Sequence, residues 1–257
     1  MKPPMYFVPA LSVVVLLVTS TVAAAQELTA SLGWARRTEL ALPVSGVISE
    51  VAVTVGQRVD KGAVLVRLDP RPFQAQVERV RATLDGLHEV RAEAERERDR
   101  AVELYERTVL SDHELQLAKI GFARADADYR RTKAGLRELE LELAFSVLRA
   151  PFNAVVIERA AEVGQAVSAE LQPRVLVTVA EAGIMRARVD VDSARLRELA
   201  PGDRATVEVG GKAYPAELKW IGLEPSQQQP LRYPAEFELV TGAEVLRAGL
   251  PATVRMP

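Results

Sequence analysis

A phrase that occurs twice constrains this chain more than any other feature. The first copy runs Pro43-Val-Ser-Gly46-Val47-Ile48 and then Val55-Gly56-Gln57-Arg58-Val59; the second runs Pro151-Phe-Asn-Ala154-Val155-Val156 and then Val163-Gly164-Gln165-Ala166-Val167. In both, the proline stands thirteen positions before the glycine, so a structural unit is repeated rather than a composition. About a hundred residues of different character separate the copies. One small β unit has been split, and something has been inserted into it.

The insertion reads as helix. From Arg71 to about Arg107, and from Ser111 to about Leu148, apolar residues recur at steps of three and four. In the second arm Leu115, Ala118, Phe122, Ala125, Tyr129, Thr132, Leu136, Leu139, Leu143 and Ser146 keep that spacing without a break, which predicts a coiled-coil seam. The first arm answers with Phe73, Val77, Val80, Leu84 and Leu87, then places Arg91, Ala94, Arg98 and Ala101 where larger apolar side chains are expected. The pair is therefore expected to pack well at its base and thinly toward its tip. Each arm would reach roughly 55 Å at about 1.5 Å per residue. A two-helix pair of that length must project from the rest of the fold.

The tip is short, near residues 108–111. Ser111 followed by Glu114 is a capping box that restarts the chain as a returning helix. Ser111 thus has a structural explanation before a functional one. His113, in the first turn of that helix, is expected to be an exposed polar residue, and the charges from Arg91 to Arg100 form weakly paired, solvated helix faces.

Composition excludes several chemistries. The chain has no cysteine, and only His88 and His113 supply imidazoles, so disulfides, thiolate metal sites and cysteine nucleophiles are absent and zinc has little to bind. With 33 basic and 35 acidic residues, and no basic run interleaved with aromatics, nucleic acid is not an expected partner.

The N-terminus carries an export pattern: Lys2, the apolar run Val13 to Val18, then Ala23-Ala24-Ala25 before Gln26. Residues 1–25 are expected to be a signal peptide cleaved after Ala25, with an uncleaved anchor as the alternative. No cysteine follows the apolar run, so the protein is not lipidated there.

The spacing Pro-x-x-Gly, Val-Gly-x-x-Val, Gly-x-x-Leu is that of a lipoyl or biotinyl carrier fold. Such carriers present a modified lysine on the hairpin that joins their halves. Here Leu68-Asp69-Pro70-Arg71-Pro72 occupies the junction without a lysine, and Lys61 lies earlier, in the turn Asp60-Lys61-Gly62. Proline in a first helical turn fits a helix start instead, so the carrier hairpin is replaced by the helical pair.

These residues resemble the periplasmic adaptor subunits, or membrane fusion proteins, of tripartite efflux pumps of the resistance-nodulation-division type. The resemblance covers about residues 30–257 and rests on Pro43-x-x-Gly46, on Gly56-Gln57-x-Val59-x-Lys61-Gly62-x-x-Leu65, on Leu148-Arg149-Ala150-Pro151-Phe152 and on the hairpin between them. It implies an elongated α+β multi-domain protein: a split lipoyl-like β domain (43–70 and 149–181), an inserted α-helical coiled-coil hairpin (71–148), and a small β-barrel domain (182–257) whose first strand comes from residues 26–42. Strand-like alternation at Ile184–Val191, Ala205–Val209, 213–223 and 233–239, with a short helix at Ser193–Leu199, fits the barrel.

The resemblance further implies a non-enzymatic periplasmic protein without cofactor or metal. It would link an inner-membrane efflux transporter to a TolC-type outer-membrane channel and self-associate as a hexameric ring. In such adaptors the tip carries Arg, Leu four residues later and Ser seven after that, a pattern matched by Arg100, Leu104 and Ser111. Ala154 stands where the family has Gly, so an identical turn is not expected in the second half. The chain stops at Pro257, and a membrane-proximal domain is not expected. Two other readings stay open from the sequence: an adaptor of an ATP-driven exporter, and a carrier domain of an enzyme.

Overall fold

The computed structural model describes residues 27–169, 174–226 and 231–256; the export segment lies outside them. In chain order the elements are β1 (Glu27–Trp34), β2 (Arg37–Leu40), β3 (Gly46–Val51), β4 (Arg58–Val59), β5 (Val64–Leu68), α1 (Arg71–Glu106), α2 (Asp112–Phe145), β6 (Val147–Arg149), β7 (Ala154–Arg159), β8 (Ala166–Val167), β9 (Val177–Glu181), β10 (Ile184–Asp192), β11 (Arg204–Val209), β12 (Lys212–Ile221), β13 (Arg232–Val240) and β14 (Pro251–Arg255). Two four-stranded sheets, β2-β9-β7-β4 and β6-β5-β3-β8, form the split unit, and β1-β10-β13-β12-β11-β14 close into a barrel.

The repeat folds as two halves that exchange hydrogen bonds. The Gly56 amide donates to the Val156 carbonyl (2.8 Å) and the Val156 amide to Gln57 (3.0 Å); 108 residues on, Gly164 donates to Ile48 (2.8 Å) and Ile48 to Gln165 (2.9 Å). Each half therefore completes the other. Gly56 and Gly164 have φ of +88° and +86°, a region that a side chain disfavours, which accounts for glycine at both positions. The two glutamines close their own turns: Gln57 Oε1 accepts from the Thr54 amide (3.0 Å) and Gln165 Oε1 from the Glu162 amide (3.2 Å).

The expectation about Ala154 is corrected here. Gly46 is not among the positive-φ residues, and Gly46 and Ala154 occupy equivalent registers, Gly46 opposite Val167 and Ala154 opposite Val59. At Gly46 space is tight, because a Cβ there would lie 3.0 Å from Leu68 Cδ1. Ala154 is instead buried within the shared core, so its methyl has a place.

Residues 26–42 do not form one barrel strand, as the sequence reading had it. β1 pairs with β10 and β14 in the barrel, but β2 pairs with β9 in the split unit. The cause is the division of apolar residues: Ala30 and Leu32 point into the barrel core, while Leu42 is buried in the other core. β1–β2 and β9–β10 thus cross together as a two-chain ribbon. Arg36 sits at the crossing, over the Phe152 ring at 5.0 Å and 3.8 Å from Glu181.

The barrel is filled by Met185, Val191, Val207, Leu218, Phe237 and Leu239. The helix expected at Ser193–Leu199 is a single 3-10 turn, Arg195–Arg197. Asp203 receives the Ala200 amide at 2.7 Å and Pro201 follows, so the chain turns before a second helical turn can form. Arg58 ties the two β units together, donating to the carbonyls of Gly242 (3.0 Å) and Glu244 (3.3 Å).

Candidate functional site: the hairpin tip

The hairpin grows from β5 without an intervening loop. Asp69 Oδ1 accepts the Arg71 amide (3.0 Å) while the Arg71 guanidinium clasps the same carboxylate at 2.6 Å, and Pro72 occupies the first turn. That clasp lowers the Asp69 pKa to about 2. On the return, buried Ser146 donates its hydroxyl to Leu143 O (2.7 Å), and its carbonyl accepts the Leu68 amide (2.9 Å). Both roots are anchored in the core of the split unit.

Along the arms, the residues of the apolar stripes are buried or half-buried and their flanks exposed. Val77 and Leu136 near the root, and Ala101 and Leu115 near the tip, are the buried apolar side chains of the two helices. The thin packing expected toward the tip is not seen at Ala101 and Leu115, both of which are buried. The middle is where the packing changes character. Arg98 stacks on Phe122 with its guanidinium carbon 4.1 Å from the ring centre, Arg91 lies 5.6 Å from Tyr129, and Arg91 Nε donates to Asp126 Oδ1 at 2.7 Å. A guanidinium over an aromatic face is attractive and keeps its stem apolar, which explains how arginine serves at seam positions. Asp126 is bonded to Arg91 and its pKa is lowered, chiefly by that hydrogen bond.

α1 ends in a Schellman motif. The Val109 amide donates to Leu104 O (2.9 Å) and the Thr108 amide to Tyr105 O (2.9 Å), with Thr108 at φ +61°. Glycine is the usual residue at that position; here a β-branched residue takes it, at a cost in backbone strain. α2 then starts from Ser111, whose hydroxyl accepts the Glu114 amide (3.3 Å) and donates to Glu114 Oε2 (2.6 Å), while the Ser111 amide also donates to Oε2 (3.0 Å). The capping box read from sequence is present. These bonds hold the Glu114 carboxyl below its usual pKa, the Ser111 hydroxyl contributing most.

Arg100 and Leu104 are brought together; Ser111 reaches them only through its cap. A groove of about 330 Å³ opens at the tip between the helices, lined by Glu97, Arg100, Ala101, Leu104, Leu110, Glu114, Leu117 and Ala118. Arg100 Nη1 donates to Glu97 Oε2 at 2.9 Å, Leu104 is half-buried, and Ser111 is exposed beside the groove rather than in its lining. Val109 and Leu117 are 71% and 55% exposed, so the tip presents apolar surface to solvent. Sequence reasoning missed Leu110 and Leu117, and took Glu114 for a cap alone. The one available signal was spacing: Glu97, Arg100 and Leu104 share a face of α1, and Glu114, Leu117 and Ala118 a face of α2.

Trp220, exposed on the barrel surface, donates its indole N–H to Glu236 at 2.8 Å. His113 is exposed. Lys61 lies in an exposed turn whose amide is held by Asn153 Oδ1 (2.9 Å), away from the junction where a carrier lysine would stand.

Comparison with known proteins agrees with this architecture. The chain is 27% identical over 246 residues to the macrolide export protein MacA of Yersinia pestis, covering 88% of this chain and 66% of that protein. It is 25% identical over 149 residues to the efflux pump periplasmic linker BepD of Brucella suis biovar 1, covering 57% of this chain and 37% of that one. The chain thus spans just under two thirds of the first relative and little more than a third of the second. The membrane fusion protein Spr0693 of Streptococcus pneumoniae superposes with a TM-score of 0.71 at 15% identity, over 91% of this chain and 99% of that one; this is a likeness of fold. The model of the CzcB-like, barrel-sandwich hybrid domain matches residues 36–181. That is more than half of the chain, and the protein belongs to the CzcB-like, barrel-sandwich hybrid domain family.

Proposed function

We propose that the protein is a periplasmic adaptor of an efflux pump, acting by binding rather than by catalysis. It bridges an inner-membrane transporter and an outer-membrane channel so that small molecules leave the cell in one passage. The observation that carries this reading is the exposed, partly apolar groove at the free end of a helical pair roughly 54 Å long, at about 1.5 Å per residue, rooted in a split β unit. An arm with its adhesive surface at the far end is a reaching device. The two helices act as a coiled coil, Arg100, Leu104 and the Ser111 cap dock to the end of the outer-membrane duct, and the barrel faces the transporter. Several copies assemble as a ring.

The relatives bear on the cargo. The likeness to a macrolide export protein runs along most of the chain, whereas the likeness to the pump linker covers about half of it, which favours macrolide-sized compounds as the first to test. An ATP-driven and a proton-driven transporter both suit such an adaptor, and crosslinking in cells followed by identification of the inner-membrane partner separates them. The docking reading is tested by Arg100→Glu combined with Leu104→Ala. Efflux should be lost, measured as drug susceptibility, while the purified variant keeps its helical signal and melting temperature. Unchanged drug tolerance would remove the tip from the account.

A further inference from the structure

The groove at the tip is not electrically neutral, and one group accounts for that. On its α1 rim, Arg100 and Glu97 neutralise each other at 2.9 Å. On its α2 rim stands Glu114, whose Oε2 is engaged by the Ser111 amide and hydroxyl; among the described residues Glu114 forms no ion pair. Its second oxygen makes no hydrogen bond among the described residues, and Glu114 lines the groove together with Leu110 and Leu117. The surroundings have the same sign, since between positions 97 and 118 the chain carries six carboxylates and three arginines.

Resting on the docking reading above, we propose that Glu114 is the specificity-determining residue of the tip, and that Ser111 is a positioning residue which acts through it. The occupant of the groove is the end of a helical hairpin of the outer-membrane duct, presenting an apolar side chain flanked by a lysine or arginine. The apolar side chain lies against Leu104, Leu110 and Leu117, and the cation meets Glu114. The serine of the tip pattern then needs no direct contact with the partner. Its hydroxyl fixes the carboxylate and keeps it ionised, as a bonded neighbour does for a group of defined direction.

The discriminating substitution is Glu114→Gln, because glutamine satisfies the same capping box and removes only the charge. The purified chain and its variants are titrated onto the host's TolC-type outer-membrane duct, immobilised in detergent, at low and at physiological salt. The wild type should bind, and more weakly as salt rises. Glu114→Gln should weaken binding about tenfold at low salt, flatten the salt dependence and leave the helical signal unchanged. Ser111→Ala should cost little once Glu114→Gln is present. If Glu114→Gln binds as wild type while Leu104→Ala does not, the docking reading stands and the role of Glu114 is overturned. If the wild type itself fails to bind the duct, both are overturned.

Discussion

The β units and the helical hairpin solve the same problem with very different means. In the split unit, each half supplies amides and carbonyls to the other, and Leu65, Leu68, Val156 and Leu176 are fully enclosed. In the hairpin, two helices of 36 and 34 residues bury Val77, Ala101, Leu115 and Leu136 and leave the rest of the seam half-open. Two helices can exclude water only along a single line of contact, whereas two facing sheets enclose a volume. The base is therefore rigid by construction, and the arm is held by a narrow stripe, an arginine–aromatic layer and its caps. Function is proposed at the far end of the arm, where Val109 and Leu117 are exposed and surface is free to meet a partner.

The largest effect expected from this contrast is in the shared core. Leu65→Ala should cost about 2–5 kcal/mol and lower the thermal midpoint of the β units and the hairpin together, since both roots are set in that core. Leu84→Ala, in the half-open seam, should cost well under that. A comparable loss at both sites in chemical denaturation would break the contrast.

A smaller but more local effect is expected from Leu139→Asp. A charge in the seam near the root should destabilise the arms by about 1–3 kcal/mol. Helical circular dichroism should fall at a temperature where hydrogen exchange still protects the barrel strands. Retained helicity would show that the seam register is misread.

At the tip, Thr108→Gly should raise hairpin stability by about 1 kcal/mol or less, because glycine takes a φ of +61° without the clash that a Cβ makes. A loss of stability on that change would mean that the threonine side chain is doing more than tolerating the turn.

The smallest expected effect is on pH. Asp126 is held below its ordinary 3.8, chiefly by the hydrogen bond from Arg91. A carboxylate with a lowered folded-state pKa favours the folded form above its unfolded value and loses that contribution as pH falls below it. Hairpin helicity of the wild type should therefore decline more steeply below about pH 4 than that of Asp126→Asn. Identical acid profiles would detach the middle layer from stability.

Much of this was legible in the chain because it follows from local rules. The Pro-to-Gly spacing gave the two halves, since Gly56 and Gly164 are needed for their positive φ. The three-and-four spacing marked the face of each helix that is buried or half-buried, and Ser111 with Glu114 marked the cap. What stayed hidden depends on partners distant in sequence. Gly46 is crowded by Leu68 and not held by a positive φ, so Ala154 could not be judged from its identity. Arg91 and Arg98 looked like gaps in the seam until Phe122, Tyr129 and Asp126 faced them from the other arm. Alternation runs from Leu28 to Trp34 and breaks at Arg36-Arg37, but that break does not by itself announce that Leu32 and Leu42 serve different cores. The groove needs both helices at once, so Leu110, Leu117 and the second oxygen of Glu114 could not be assembled from either arm alone.

The central claim is that the end of the arm, and not its base, meets the outer-membrane channel. A photo-crosslinking side chain placed at Leu104, and in a second strain at Val80 near the root, tests this in growing cells. Leu104 should yield a product with the outer-membrane duct, and Val80 should not. A duct product from Val80, or from Leu104 only other copies of this chain and the inner-membrane transporter, would contradict the account.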